Sequence, residues 1–237
     1  LFNGIVSSRG FVKKCWFKGK LEAKNFNWGT GIFIVSYHLA LIVALPLYLM
    51  STIPSLSLIV ASLALLFLSG ISISAGYHRF YAHKAYTPNK IVESVLLFFS
   101  TMAMQGSALR WSYEHRVHHK FTDQEGDPHS IKKGFWYAHM LWLFKKSKII
   151  EESVVHDLTK NRLVMFQHKY YVLLMILTNL AAFAFVGWLT GDWAGAFTLS
   201  WLARIFLLHH FTWFINSLAH TWGAKTYSGE QSAVDNY

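Results

Sequence analysis

The chain has 237 residues, 53% of them apolar and 17% aromatic, with 22 Lys and Arg against 12 Asp and Glu. The apolar residues gather in four runs, which excludes a small soluble domain: it could not surround four helices that are apolar all round. The net charge of +10 would suit nucleic acid, but the basic residues sit beside the apolar runs, and no nucleic-acid partner is expected.

Residues 1–30 read as a polar, basic, aromatic-containing lead-in on the cytoplasmic surface, with Lys13, Lys14, Lys18, Lys20 and Lys24 ahead of the first run. Cys15 is the only cysteine, so neither an internal disulfide nor a thiolate metal site is available. The chain opens on Leu1 and shows no signal-peptide core near its start; a fragment is the expectation at that end. The runs are 32–50, 56–75, 170–189 and 193–215, each near the ~20 residues that cross a bilayer. The fold class is therefore an all-α integral membrane protein: four transmembrane helices and a cytoplasmic helical cap. The connectors 51–55 and 190–192 hold no Lys or Arg, whereas nearly all other basic residues lie in the insert 77–169. That is the positive-inside pattern, with both termini cytoplasmic, in a bacterial inner membrane or the endoplasmic reticulum. Membrane lipids, anionic ones included, are expected contacts.

The second run ends in Ser72-Ile73-Ser74-Ala75-Gly76, small residues that permit close helix packing. Residues 91–109 are apolar but follow Pro88-Asn89, a helix-start signal, and are interrupted at Gln105, Gly106 and Ser107. They read as an interfacial helix; a crossing there would part the histidines that flank it. The last two runs form a hairpin about Gly191-Asp192. The chain reads as one domain, 1–237.

Histidines mark the ends of these runs. His115, His118 and His119 stand at i, i+3 and i+4, one face of a helix. His78 and His83 are five apart and would diverge by about 140° on a regular α-helix; a bend, a helix end or a π-bulge would bring them together. Asn216 and His220 are four apart at the end of the fourth run. So many imidazoles suit zinc, iron or copper. There is no HExxH and no accompanying nucleophile for zinc hydrolysis. There are too many ligands for one tetrahedral ion, so two metals are expected.

With these motifs the chain resembles the membrane fatty acyl desaturases of the stearoyl (Δ9) type. The resemblance is carried by Gly76-Tyr77-His78-Arg79-Phe80-Tyr81-Ala82-His83 and by His115-Arg116-Val117-His118-His119-Lys120-Phe121-Thr122-Asp123. It continues through Gly126-Asp127-Pro128-His129-Ser130, Lys133-Gly134-Phe135 and His139-Met140-Leu141-Trp142. Its last part is Thr212-Trp213-Phe214-Ile215-Asn216-Ser217-Leu218-Ala219-His220-Thr221-Trp222-Gly223. It implies two iron ions and O2. One iron would take His78, His83 and His119, with Asn216 through water; the other would take His115, His118 and His220. A third box, H-N-x-H-H, would follow beyond Asp235-Asn236-Tyr237, so the chain is expected to be short at that end and inactive without the box.

The implied reaction is O2-dependent desaturation of a long saturated acyl chain, cis at Δ9, with the chain carried on CoA, a glycerolipid or acyl carrier protein. Electrons would come from a ferredoxin or a cytochrome b5-like protein, since no haem, flavin or Fe–S motif is present. Gly70, about two turns back from His78, and Leu66, one turn deeper still, are expected along the acyl tunnel with Thr212 and Trp213. Lys145 and Lys146 would meet an acidic head group. Asp127 and His129 would orient ligating histidines through their outer ring nitrogens. Arg204, inside the fourth run, reads as structural or tunnel-side. His38, His209 and His210 read as packing groups, and His139, His156 and His168 as surface residues. The alternatives are a membrane fatty acid hydroxylase or monooxygenase with the same histidine plan, and a non-catalytic membrane subunit.

Overall fold

A computed structural model describes residues 23–224 and 232–234. The lead-in lysines up to Lys20, Cys15 and the terminal Asp235-Asn236-Tyr237 lie outside them. Helices α1 (Trp28–Ser51), α2 (Leu56–Ile71), α3 (Lys90–Met102), α4 (Ala108–Lys120), α5 (Phe135–His139), α6 (Glu152–Thr159), α7 (Arg162–Lys169), α8 (Tyr171–Thr190), α9 (Trp193–Gly195) and α10 (Arg204–Ser217) follow in order. Two π-helical segments interrupt the α geometry: Ser72–Ala82 continues α2, and Ala196–Ala203 joins α9 to α10.

Among the described residues, three helices are long and apolar enough to cross a membrane: Trp28–Ser51, Leu56–Ala82 and Tyr171–Thr190. The first shows why. Ile34, Tyr37, Leu41 and Tyr48 make a buried stripe, while Ile32, Val35, Leu39, Ile42 and Leu47 are exposed. So many bare large apolar side chains on one helix need lipid, not water. The fourth apolar run is helical from Trp193 to Ser217, but in three consecutive pieces. Its π segment widens the turns midway, an interruption that the uniform apolar composition does not reveal. The hairpin before it closes on Gly191, whose φ of +67° suits a residue without Cβ, and Asp192 then caps α9 by accepting from Gly195 N–H.

Helix α3 is capped by Asn89 and ends at Met102. Thirteen residues rise only about 20 Å, short of a crossing. The chain then breaks at 103–107, and Ser107 caps α4. Several polar groups in this layer are paired. Gln167 donates to Tyr77 Oη and Thr101 Oγ1 and accepts from Ala108 N–H. Buried Glu93 accepts from Tyr81, Lys90 and Asn161. Between the helices, Arg204 is 2% exposed and donates to the Ser69 hydroxyl, the Met102 carbonyl, the Asn179 amide oxygen and the Ser200 carbonyl. Its role in the described structure is a four-way tie among α2, α3, α8 and the last helical stretch, and it does not line the main cavity.

Candidate metal centre

The π segment Ser72–Ala82 brings His78 and His83 together. His83 N–H donates to His78 C=O over 3.0 Å, the i→i+5 bond of a π turn, and their ring centroids lie 4.5 Å apart. Tyr77 and Tyr81 hold the segment in place, their hydroxyls bonded to Gly106 C=O and Glu93. Helix α4 presents its histidines beside it. His115 Nε2 lies 2.9 Å from His83 Nε2 and 3.0 Å from His119 Nε2. His78, His83, His115 and His119 each offer a nitrogen within 4.8 Å of the others.

Arg116, between the ligand positions of α4, fastens the two elements. It donates to the carbonyls of Tyr81 and Ala82 and of Val154, and it grips Asp157 with both guanidinium nitrogens, at 2.7 and 2.9 Å. The carbonyls it holds immediately precede His83, so its reach sets the end of the π segment against α4. Histidine spacing does not mark Arg116. The available signal was its place inside H-R-x-H-H, where its side chain leaves the ligand face.

His118 belongs to a second group. Its Nδ1 faces Asp127 Oδ1 at 2.9 Å, and its ring lies 4.1 Å from that of His129 and 6.0 Å from that of His220. Asp127 is buried and also accepts from the backbone N–H of Asp123 and His129. Burial works to raise its carboxyl, but the His118 and backbone hydrogen bonds outweigh that and lower it. His129 Nδ1 is buried without a hydrogen-bond partner among the described residues. Burial, then the neighbouring His118, pull its imidazole down to about 3.

The division between groups differs from the one the resemblance implies. His115 stands among His78, His83 and His119; His118 and His220 lie apart with Asp127. The reason is the helix: His115 and His119 share one line of α4 at i, i+4, and His118 turns toward the 123–129 loop.

The donor set fits transition-metal ions. Burial, then the surrounding imidazoles, lower His115 to about 2, so it is neutral and its lone pair free. Two Nε2 atoms crowd the Nε2 of His115, and a single ring proton can serve only one such contact. Lone pairs remain that a metal would use, and an all-imidazole set suits iron, zinc or copper.

A cavity of about 560 Å³ runs from this centre, within the size range of ligand pockets. His115, Asn216, Thr212, Trp213, Lys145 and Lys146 are among the residues that line it. Arg110, Lys133 and Lys148 add to its basic lining. Leu66 and Gly70 do not line it. A Cβ on Gly70 would meet Leu208 Cδ1 at 3.5 Å, so this glycine is where α2 approaches α10, and Leu66 packs on the core cluster that includes Leu208.

His139 is 1% exposed, not a surface group. Its Nε2 meets His210 Nδ1 at 3.0 Å and its Nδ1 meets Ser217 Oγ at 2.9 Å. His210 in turn meets His38 Nε2 at 3.1 Å. His209 pairs with Tyr37 and Ala103 C=O. These partners lie far off in sequence, where spacing cannot show them. His168 bonds Ser107, so it too is more than a surface residue; His156 is largely exposed.

Fold and site together define a class: a helical membrane protein with clustered histidines able to hold a metal, opening on a cavity. The fatty acid desaturase family model matches residues 54–236, and the chain belongs to that family. It is 37% identical over 172 residues to a "Probable acyl-CoA desaturase" of Schizosaccharomyces pombe, covering 71% of this chain and 36% of that protein. An "Acyl-CoA Delta-9 desaturase" of Acheta domesticus is 32% identical over 220 residues, covering 88% of this chain and 60% of that one. An "sn-1 stearoyl-lipid 9-desaturase" of Anabaena variabilis is 29% identical over 211 residues, covering 88% and 74%. The chain spans about a third to three fifths of the length of the first two.

Proposed function

We propose that the protein carrying this chain introduces a cis double bond at Δ9 of a long saturated fatty acyl chain, using O2 and a non-haem di-iron centre. The observation that carries the reading is the convergence of four histidines, one of which, His115, lines a cavity with Asn216, Thr212 and Trp213. The irons would supply O2 activation and removal of two hydrogens from adjacent methylenes, with two electrons and two protons completing reduction to water. His78, His83, His115 and His119 would hold one iron, and His118 and His220 would contribute to the other. Asn216 would reach the centre through water. Thr212 and Trp213 would confine the methylenes beside it and keep water out. Lys145 and Lys146 would hold an anionic head group, and acyl-CoA fits both that charge and the names of two of the three relatives described. A ferredoxin or cytochrome b5-like protein would bring the electrons.

In the same reading the chain crosses the membrane four times, with the centre on the cytoplasmic face. An impermeant thiol reagent should reach a cysteine placed at Asp192 from outside and not one placed at Glu125. The chemistry is tested by supplying stearoyl-CoA, O2 and a reduced donor to the full-length protein. A cis-9 monoene is expected; a hydroxylated product, or no product from an iron-loaded preparation, overturns it.

A further inference from the structure

Residues 232–234 lie against the centre. Val234 N–H donates to Ala219 C=O at 2.9 Å and Ser232 N–H to Asp123 Oδ2 at 2.7 Å. The Ser232 hydroxyl lies 2.9 Å from Asp123 Oδ1 and 2.7 Å from His220 Nδ1. We propose that Ser232 is a positioning residue: backed by Asp123, it fixes His220 so that Nε2 is presented as a metal ligand. The inference rests on the metal-centre reading above.

The assignment follows from counting protons. A carboxylate only accepts, so the single hydroxyl proton of Ser232 goes to Asp123. Ser232 Oγ must then accept from His220, which puts the imidazole proton on Nδ1 and leaves Nε2 with its lone pair. Asp127 does the same for His118 without an intermediary, since its Oδ1 faces His118 Nδ1 directly. Ligating histidines ordinarily donate their other N–H to a carboxylate or carbonyl partner. Here one reaches its carboxylate directly and the other through a hydroxyl.

The two carboxylates are built as a unit. Asp123 N–H donates to Asp127 Oδ2 at 3.0 Å. Asp123 has a φ of +60°, a left-handed conformation that Asp tolerates better than most residues. Both it and Asp127 are buried. A single short loop thereby orients one histidine on α4 and another just past α10, two elements about a hundred residues apart in the chain. If Ser232 only anchored its own segment, the two backbone bonds would suffice, and the hydroxyl would be dispensable.

That difference is testable in the full-length protein, purified metal-free and titrated with Co²⁺, whose visible bands report coordination at each site, with iron content measured in parallel. Ser232→Ala removes the hydroxyl and keeps both backbone bonds. It is expected to weaken one of two metal sites about 10–100-fold, the usual cost of losing a partner of a ligating histidine. Ser232→Thr, which keeps a hydroxyl, should restore the affinity. Adding Ser232→Ala to His220→Ala should weaken the site no further than His220→Ala alone. Unchanged affinity in Ser232→Ala, equal loss in Ser232→Thr, or additive losses in the double variant would overturn the proposal. A parent protein that binds no metal would instead overturn the metal-centre reading, and the proposal with it.

Discussion

The two histidine groups hold the same side chain ready for metal in different ways. Around His115, among the described residues, no carboxylate is hydrogen-bonded to the imidazoles; they touch one another, and burial with crowding lowers the His115 pKa to about 2, so the ring is neutral. Around His118 the ring is gripped through its outer nitrogen by buried Asp127. The first group therefore depends on where the backbone puts it, namely the π segment and the Arg116 clamp. The second depends on individual acidic side chains. A carboxylate deletion should discriminate between the groups, and so should a clamp deletion, in the opposite sense.

The largest effect is expected from removing a ligand. His115→Ala in the full-length protein should abolish detectable product and lower bound iron, measured by product analysis and elemental analysis of the same preparation. Asp127→Ala should come next, weakening the His118 site by about 10–100-fold while leaving Co²⁺ bands of the His115 group unchanged. A shift in those bands would erase the distinction between the groups.

Arg116→Ala should act on the other side, disturbing the His115 group first. It removes charge-assisted hydrogen bonds worth roughly 1.5–3 kcal/mol each when unshared. Partial exposure of Asp157 reduces that worth, so a loss of about 2 kcal/mol is the expectation, read as a lower unfolding temperature in detergent. The acid dependence has a definite sign. Burial alone would raise the Asp157 carboxyl, but Arg116 and Lys84 outweigh it and bring it to about 2, below the ~3.9 of an unfolded Asp. Its contribution is complete above about pH 4 and fades as pH falls through 2. The gap in stability between parent and variant should close over that interval. The smallest effect belongs to His156→Ala, on an exposed side chain, which should stay within about 0.5 kcal/mol and keep full metal content.

The H-x-x-H-H face of α4 is legible in the sequence because helical spacing alone decides which of its residues align. The His78 and His83 pair is only half legible. Two residues five apart need a π turn, and although Ser72–Ala82 is richer in small and polar residues than α2, nothing in that composition specifies π rather than α geometry. The apolar runs give three membrane-length helices by length and composition, while the fourth hides its π interruption in the same way. The surface reading of His139 fails because its partners, His210 and Ser217, lie more than seventy residues away. Ser232 and Arg116 are missed for a related reason: neither resembles a ligand, and their importance lies in which ligand they touch. Leu66 and Gly70 do not line the described cavity, since depth along a helix fixes height and not which neighbour the residue faces.

Arg204 also bears on the order in which the chain assembles. Ser69, Met102, Asn179 and Ser200, the groups that satisfy its guanidinium, all precede it in the sequence. A cation at the centre of an apolar helix carries an insertion cost of about 2.5–3.5 kcal/mol on translocon scales. During synthesis from the N-terminus, every acceptor that offsets this cost has been made before the arginine emerges. In the four-span reading proposed above, the fourth apolar segment thus arrives at a receptor already prepared by the earlier helices, and a polar residue that would otherwise oppose its entry becomes the latch that retains it.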